Sequence, residues 1–232
     1  MQIFPRSLNR LPAIVAIALA LGGAGVTFMI WYYFSPKFTQ VGYQPRQPVP
    51  YSHRLHAGQL GIDCRYCHTG VERSPVAMVP PVQTCMNCHA LVRTDSPRLA
   101  PIRESWCARV PLDQRTDQNC PGVPRERRAQ LEDGQPVEWV RVHRLPDHAY
   151  FDHSVHVTAG VGCVECHGRV DQEDVIRQVQ PLSMGWCLEC HRDPGPHLRP
   201  RDQVTNMEWQ PTGPVAQARP VNPPQHCSGC HR

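Results

Sequence analysis

The sequence predicts a chain with little regular structure, made of short α-helices and irregular backbone organised around something other than an apolar side-chain core, and preceded by one long apolar helix. Three observations predict this. The pattern Cys-x-x-Cys-His occurs five times in 232 residues that carry only 12 cysteines and 13 histidines. With 25 prolines, 7% aromatic residues and a mean hydropathy of −0.43, the composition is poor material for a conventional core. Residues 11–34, LPAIVAIALALGGAGVTFMIWYYF, contain no charged side chain.

The five motifs are Cys64, Cys67 and His68; Cys85, Cys88 and His89; Cys163, Cys166 and His167; Cys187, Cys190 and His191; and Cys227, Cys230 and His231. This spacing is the attachment signature of covalent c-type haem. Two thiols separated by two residues reach the two vinyl groups of one porphyrin, and the histidine that follows lies under the iron as its proximal ligand. A shuffled chain of this composition would yield well under one such match. Zinc also binds Cys-x-x-Cys knuckles, but it gives no reason for a histidine directly after the second cysteine every time. The predicted fold class is therefore a class III-like multihaem cytochrome c, mostly irregular with short α-helices packed around five haems, plus one N-terminal transmembrane helix.

The chain contains an internal repeat. Tyr51-Ser52-His53-Arg54-Leu55-His56 precedes the first motif, and Phe151-Asp152-His153-Ser154-Val155-His156 precedes the third at nearly the same offset. A second haem motif then follows in each copy, Cys85 after Cys64 and Cys187 after Cys163. Residues three apart on a helical turn project to nearly one side. His53, His56, His153 and His156 are accordingly the expected distal ligands, with one histidine of each pair serving its own unit's first haem and the other a neighbour. The fifth distal ligand is expected to be His143. His148 shares its segment, and Met184 and Met207 are thioether alternatives that would raise the potential of the haem they served. With every iron closed on both sides, the chain would carry electrons and transform no substrate.

The expected organisation follows the motifs: an anchor at 1–36, a first two-haem unit at 37–93, an insertion at 94–136, a second two-haem unit at 137–199 and a C-terminal extension with the fifth haem at 200–232. Cys107 and Cys120, the only cysteines outside the motifs, are expected to form a disulfide within the insertion. The 24-residue apolar run would span about 36 Å as a helix, against a hydrocarbon core of about 30 Å. Arg6 and Arg10 precede it, while Trp31, Tyr32 and Tyr33 crowd its far end. An uncleaved anchor with its N-terminus in the cytoplasm is expected, which puts everything after Lys37 on the periplasmic side of a bacterial cytoplasmic membrane. The formal charge of +4 does not point to nucleic acid, because propionates and ferric centres would bring the holoprotein to about −1. Arg125, Arg127 and Arg128 are expected to form a solvated face or to partner propionates.

The strings SHRLHAGQLGIDCRYCHTGVE, TCMNCH, VEWVRVHRLPD, YFDHSVHVTAGVGCVECHGRVDQ, PLSMGWCLECHRDP and the terminal CSGCHR resemble the membrane-anchored pentahaem cytochrome c subunit (ActA) of alternative complex III, over nearly the whole chain. The resemblance implies an electron-transfer subunit of a bacterial quinol:electron acceptor oxidoreductase. Its implied partners are an iron–sulfur subunit related to molybdoenzymes, polytopic quinol-binding subunits and a monohaem cytochrome c subunit. The insertion bearing Cys107 and Cys120 departs from the family pattern. The anchor itself offers no ionisable group to take quinol protons, so quinol chemistry is expected in another subunit. The competing expectation is a membrane-anchored quinol dehydrogenase of the NapC/NrfH kind.

Overall fold

The computed structural model describes residues 5–35, 40–211 and 220–231. Lys37, at the expected foot of the anchor, the stretch 212–219 of the expected C-terminal extension and the terminal Arg232 lie outside the described residues. The chain divides into two compact units, Met1–Val41 and Gly42–Arg232.

In the first unit a 3-10 turn, Arg6–Arg10, leads into helix α1, Leu11–Tyr33. Pro12 is tolerated in the first turn, where its missing N–H has no partner to lose. Every described side chain along α1 is exposed, and within Ser7–Tyr33 the most apolar 18-residue stretch has a mean hydropathy of 2.3, so the helix is long and apolar enough to cross a membrane. At its end Phe28 stacks on Tyr32 at 5.9 Å, beside Trp31.

The second unit is built from short helices at the haem motifs. Helix α2, Cys64–Cys67, and helix α3, Val82–His89, carry the first two motifs. Helix α6, His153–Ala159, precedes α7, Cys163–His167, and α8, Met184–Arg192, which carry the third and fourth. A 3-10 turn at Cys227–Gly229 carries the fifth. Asp63, Asp152 and Ser183 cap α2, α6 and α8 by accepting from the Arg65, Ser154 and Trp186 amides, which satisfies N–H groups that so short a helix otherwise leaves open. Among the described residues β-pairing is limited to two isolated bridges, Ala149 with His231 and Val161 with Leu198.

The two copies of the repeat embrace each other. The Arg54 amide donates to the Glu173 carbonyl at 3.0 Å, and the Ser154 amide donates to the Ser74 carbonyl at 3.3 Å. Arg54 and Ser154 each follow the first histidine of their pair, while Ser74 and Glu173 each lie six residues after a proximal histidine. The His-x-x-His turn of each copy is thus held by the loop that follows the other copy's first motif, a reciprocal exchange. Gly58 sits at one of these contacts, where a Cβ would come 2.2 Å from the Asp171 carbonyl oxygen. Gly160 ends α6 at φ 95°, and a Cβ there would meet the Arg199 carbonyl oxygen at 2.4 Å.

The insertion has a small core of its own. Helices α4, Ala100–Cys107, and α5, Arg125–Arg128, flank a disulfide between Cys107 and Cys120, which packs with Ala108, Val123 and Leu131. Arg115 and Arg128 run through it. Arg115 donates to the carbonyls of Val110, Arg128 and Leu131 and pairs with Asp133, and Arg128 donates to Val123 and Arg115 carbonyls and pairs with Asp117. The expectation of a solvated face therefore fails for Arg128: its guanidinium is inside the insertion because loops without helix or sheet leave carbonyls that need donors. Arg127 pairs with Glu104 at 2.8 Å, and Arg125 is exposed. A second cluster, Val49, Met86 and Ile102 with Trp106 and Trp139 around them, binds α4 of the insertion to α3 of the second motif.

Replacing both Cys107 and Cys120 by serine should lower unfolding stability by about 2–4 kcal/mol, the usual contribution of closing a loop of this size, with no change in haem content. Denaturant unfolding and pyridine haemochrome assay of the same sample check this; loss of haem would show that the insertion does more than stabilise.

Candidate haem-binding sites

Four of the five motif histidines, all but His167, commit one ring nitrogen to a backbone carbonyl. In the proximal set, His68 Nδ1 pairs with the Met78 carbonyl at 2.7 Å, His89 Nδ1 with Val92 at 3.0 Å, His191 Nδ1 with Pro224 at 2.7 Å and His231 Nδ1 with His148 at 3.1 Å. Histidines of the repeat do the same: His56 Nδ1 pairs with the Ser52 carbonyl at 2.8 Å, His153 Nδ1 with Pro75 at 2.7 Å and His156 Nδ1 with Asp152 at 2.7 Å. Against a carbonyl, Nδ1 can only donate. The proton therefore stays on Nδ1 and the Nε2 lone pair is free for a metal, the tautomer that metal-binding histidines use.

The rings then face each other in twos. His53 and His68 lie 6.5 Å apart between centroids, His56 and His89 6.2 Å, His153 and His167 6.5 Å, and His156 and His191 6.1 Å. Two imidazoles on opposite sides of one iron have centroids about 6.3 Å apart, from two metal–nitrogen bonds of about 2 Å and half a ring on each side. The donor set, two thiols and a proximal imidazole with a second imidazole opposite, fits c-type haem at these four motifs. At the fifth, His148 is the ring brought to His231, at 5.5 Å and 23° between planes. The Ala149–His231 bridge and a 2.7 Å bond from the Tyr150 amide to the Cys230 carbonyl put it there. His143, expected as the fifth distal ligand, packs edge-on to His167 at 4.4 Å, with its Nε2 buried and without a hydrogen-bond partner.

The aromatic residue that opens each repeat is a platform for both histidines. Tyr51 stacks on His56 at 4.4 Å and meets His53 edge-on at 4.7 Å; Phe151 stacks on His156 at 4.5 Å and meets His153 edge-on at 4.8 Å. This fixes both ring planes with contacts that need no polar partner. Met184, a thioether alternative, is exposed. Sequence reasoning missed the accepting carbonyls of Met78, Val92 and Pro224, since any residue type supplies one. It also missed Glu165, which lies between the cysteines of the third motif and binds His197 at 3.0 Å and buried Arg199 at 2.8 Å.

Burial disfavours the charged form of four of these imidazoles. Burial, reinforced by His68 and His56, pushes His53 down to about 4, and burial, reinforced by His143 and His153, pushes His167 down to about 3. His156 and His143 are pushed down by burial as well. Burial raises the Cys166 thiol to about 12, beside Cys190 and Glu165, so an unlinked Cys166 would be a thiol and not a thiolate at neutral pH.

Residues 149–232, which hold three of the five motifs, match the family model described as cytochrome c7 and related cytochrome c. The chain is also 25% identical over 189 residues to the menaquinone reductase multihaem cytochrome c subunit of Nitratidesulfovibrio vulgaris (strain Hildenborough), an alignment covering 81% of this chain and 69% of that one.

Because His53 and His167 in the fold titrate at about 4 and about 3, below the 6.5 of a free imidazole, the unfolded chain takes up protons first on acidification. The stability these groups contribute is complete above about pH 6.5 and declines as pH falls toward 4. The denaturation midpoint should therefore be lower at pH 5 than at pH 7.5; equal midpoints would contradict the burial of these rings. With motifs, facing histidines and both matches pointing the same way, the chain is an electron-transfer multihaem cytochrome c with a cytochrome c7-like C-terminal region.

Proposed function

We propose that this chain is the pentahaem electron-relay subunit of a membrane quinol oxidoreductase of the alternative complex III type, carrying electrons from quinol-oxidising partners to a periplasmic cytochrome or oxidase. The observation that carries this reading is the pairing of imidazoles at all five motifs, His53 with His68, His56 with His89, His153 with His167, His156 with His191 and His148 with His231. Low-spin haem iron held this way supplies one-electron carriage with little geometric change between oxidation states.

The chain's own residues perform the rest. Ten motif cysteines would tether the macrocycles, and the five motif histidines would hold their irons. His53, His56, His153, His156 and His148, which face them, would be the second ligands, so that no position would remain for a small substrate. Seven backbone carbonyls hold their imidazoles in the ligating tautomer. The apolar helix α1 anchors the haem region at the periplasmic membrane surface.

The relative is named as part of a menaquinone reductase, which supports a quinone-linked assembly and favours a second reading with the opposite flow, toward menaquinone. Both readings place the quinone site in a partner subunit, whereas a NapC/NrfH-like dehydrogenase would oxidise quinol by itself. Purified alone in detergent, the chain should show no haem reduction by menaquinol or ubiquinol analogues, and the intact assembly should show rapid reduction; reduction of the isolated chain would overturn the relay reading. Intact mass should give five haems per chain. His153→Ala should turn one haem high-spin with all five still attached, and an unchanged low-spin spectrum would remove His153 from the ligand set.

A further inference from the structure

The motifs are numbered by chain position, but the structure brings them together in a different order. The second motif meets the first, where Asn87 Nδ2 donates to Tyr66 Oη at 3.2 Å and Cys67 stands within electrostatic reach of Cys88. His53 and His56, three residues apart on the Arg54–Gln59 turn and its cap, face His68 of the first motif and His89 of the second.

The first motif meets the third across the exchanged arms. Besides the Arg54–Glu173 and Ser154–Ser74 bonds, the distal candidate His153 of the third motif donates Nδ1–H to Pro75, in the loop after the first motif. The Cys64 and Cys163 sulfurs are within hydrogen-bond reach of each other. His153 and His156, on one helix, then face His167 of the third motif and His191 of the fourth. The fourth meets the fifth: His191 donates to Pro224, and Gln225 Nε2 donates to the His191 carbonyl at 3.1 Å. Cys187 lies within electrostatic reach of Cys230.

Resting on the electron-relay reading above, we infer that the five attachment sites follow one another in space as second, first, third, fourth, fifth, so that the second and fifth sites are the two ends where redox partners exchange electrons. Exposure agrees with this: Cys88 and Cys227 are exposed, and the other eight motif cysteines are half-buried. The two repeats therefore join through their first motifs, and the second motif is a terminus, although in the chain it lies between the first and the third.

The test marks the second site and asks which neighbours feel it. Adjacent redox centres shift one another's midpoints, and His56→Met raises the potential at the second site by replacing an imidazole with a thioether. In the full-length holoprotein, each haem followed by its own NMR signals during a redox titration, the first site's midpoint should move and those of the third, fourth and fifth should stay. Movement of the third site equal to that of the first would restore chain order and overturn the inference. His153→Met, marking an interior site, should move both the first and the fourth. Should His56→Met fail to load five haems, Asn87→Asp puts a charge at the same site without touching a ligand, and the same two outcomes decide. Haem content and spin state of the unsubstituted protein are read separately, so a failure of the relay reading itself, with fewer than five haems or a high-spin iron, is distinguishable from a wrong order.

Discussion

The architecture depends on one hydrogen bond repeated seven times: an imidazole Nδ1–H given to a backbone carbonyl. It settles where the proton sits, aims Nε2 away from the main chain and makes the ring a stronger donor to iron. The carbonyls of Met78, Pro75 and Pro224 that orient histidines lie in the loops 69–81 and 220–226, whereas those of Ser52 and Asp152 lie at the start of a helical turn.

The same economy governs packing. Side-chain clusters are small: one around the disulfide of the insertion and one joining Met86, Ile102 and Trp106 between the insertion and the second motif. Elsewhere the contacts that could make a core converge on the histidines, with Tyr51 and Phe151 as paired platforms. In the insertion, where no macrocycle is expected, Arg115 and Arg128 do the corresponding work by each donating to several carbonyls. Covalent haem attachment and buried guanidinium groups are two answers to one shortage, too little apolar side chain to fold a proline-rich chain.

The five Cys-x-x-Cys-His motifs, the His-x-x-His repeat and the apolar helix were legible in the sequence because each is a fixed set of residue types at fixed spacing. The fifth facing histidine was not. His143 and His148 lie five residues apart in one irregular segment, and the choice of ring facing His231 is made by a β-bridge at Ala149 that has no local signature. The spatial order of the motifs was hidden for a related reason. It follows from backbone bonds between Arg54 and Glu173 and between Ser154 and Ser74, and such bonds use atoms every residue has. Arg128 was misassigned because a basic run looks alike whether its guanidinium meets water or buried carbonyls.

The closed coordination of every iron is the claim on which the function rests, and near-infrared magnetic circular dichroism of the oxidised, unsubstituted holoprotein tests it most directly. The account predicts charge-transfer bands of bis-imidazole low-spin ferric haem with an intensity equal to the full haem content. A high-spin band, or the band of histidine–methionine ligation at any of the irons, would contradict it.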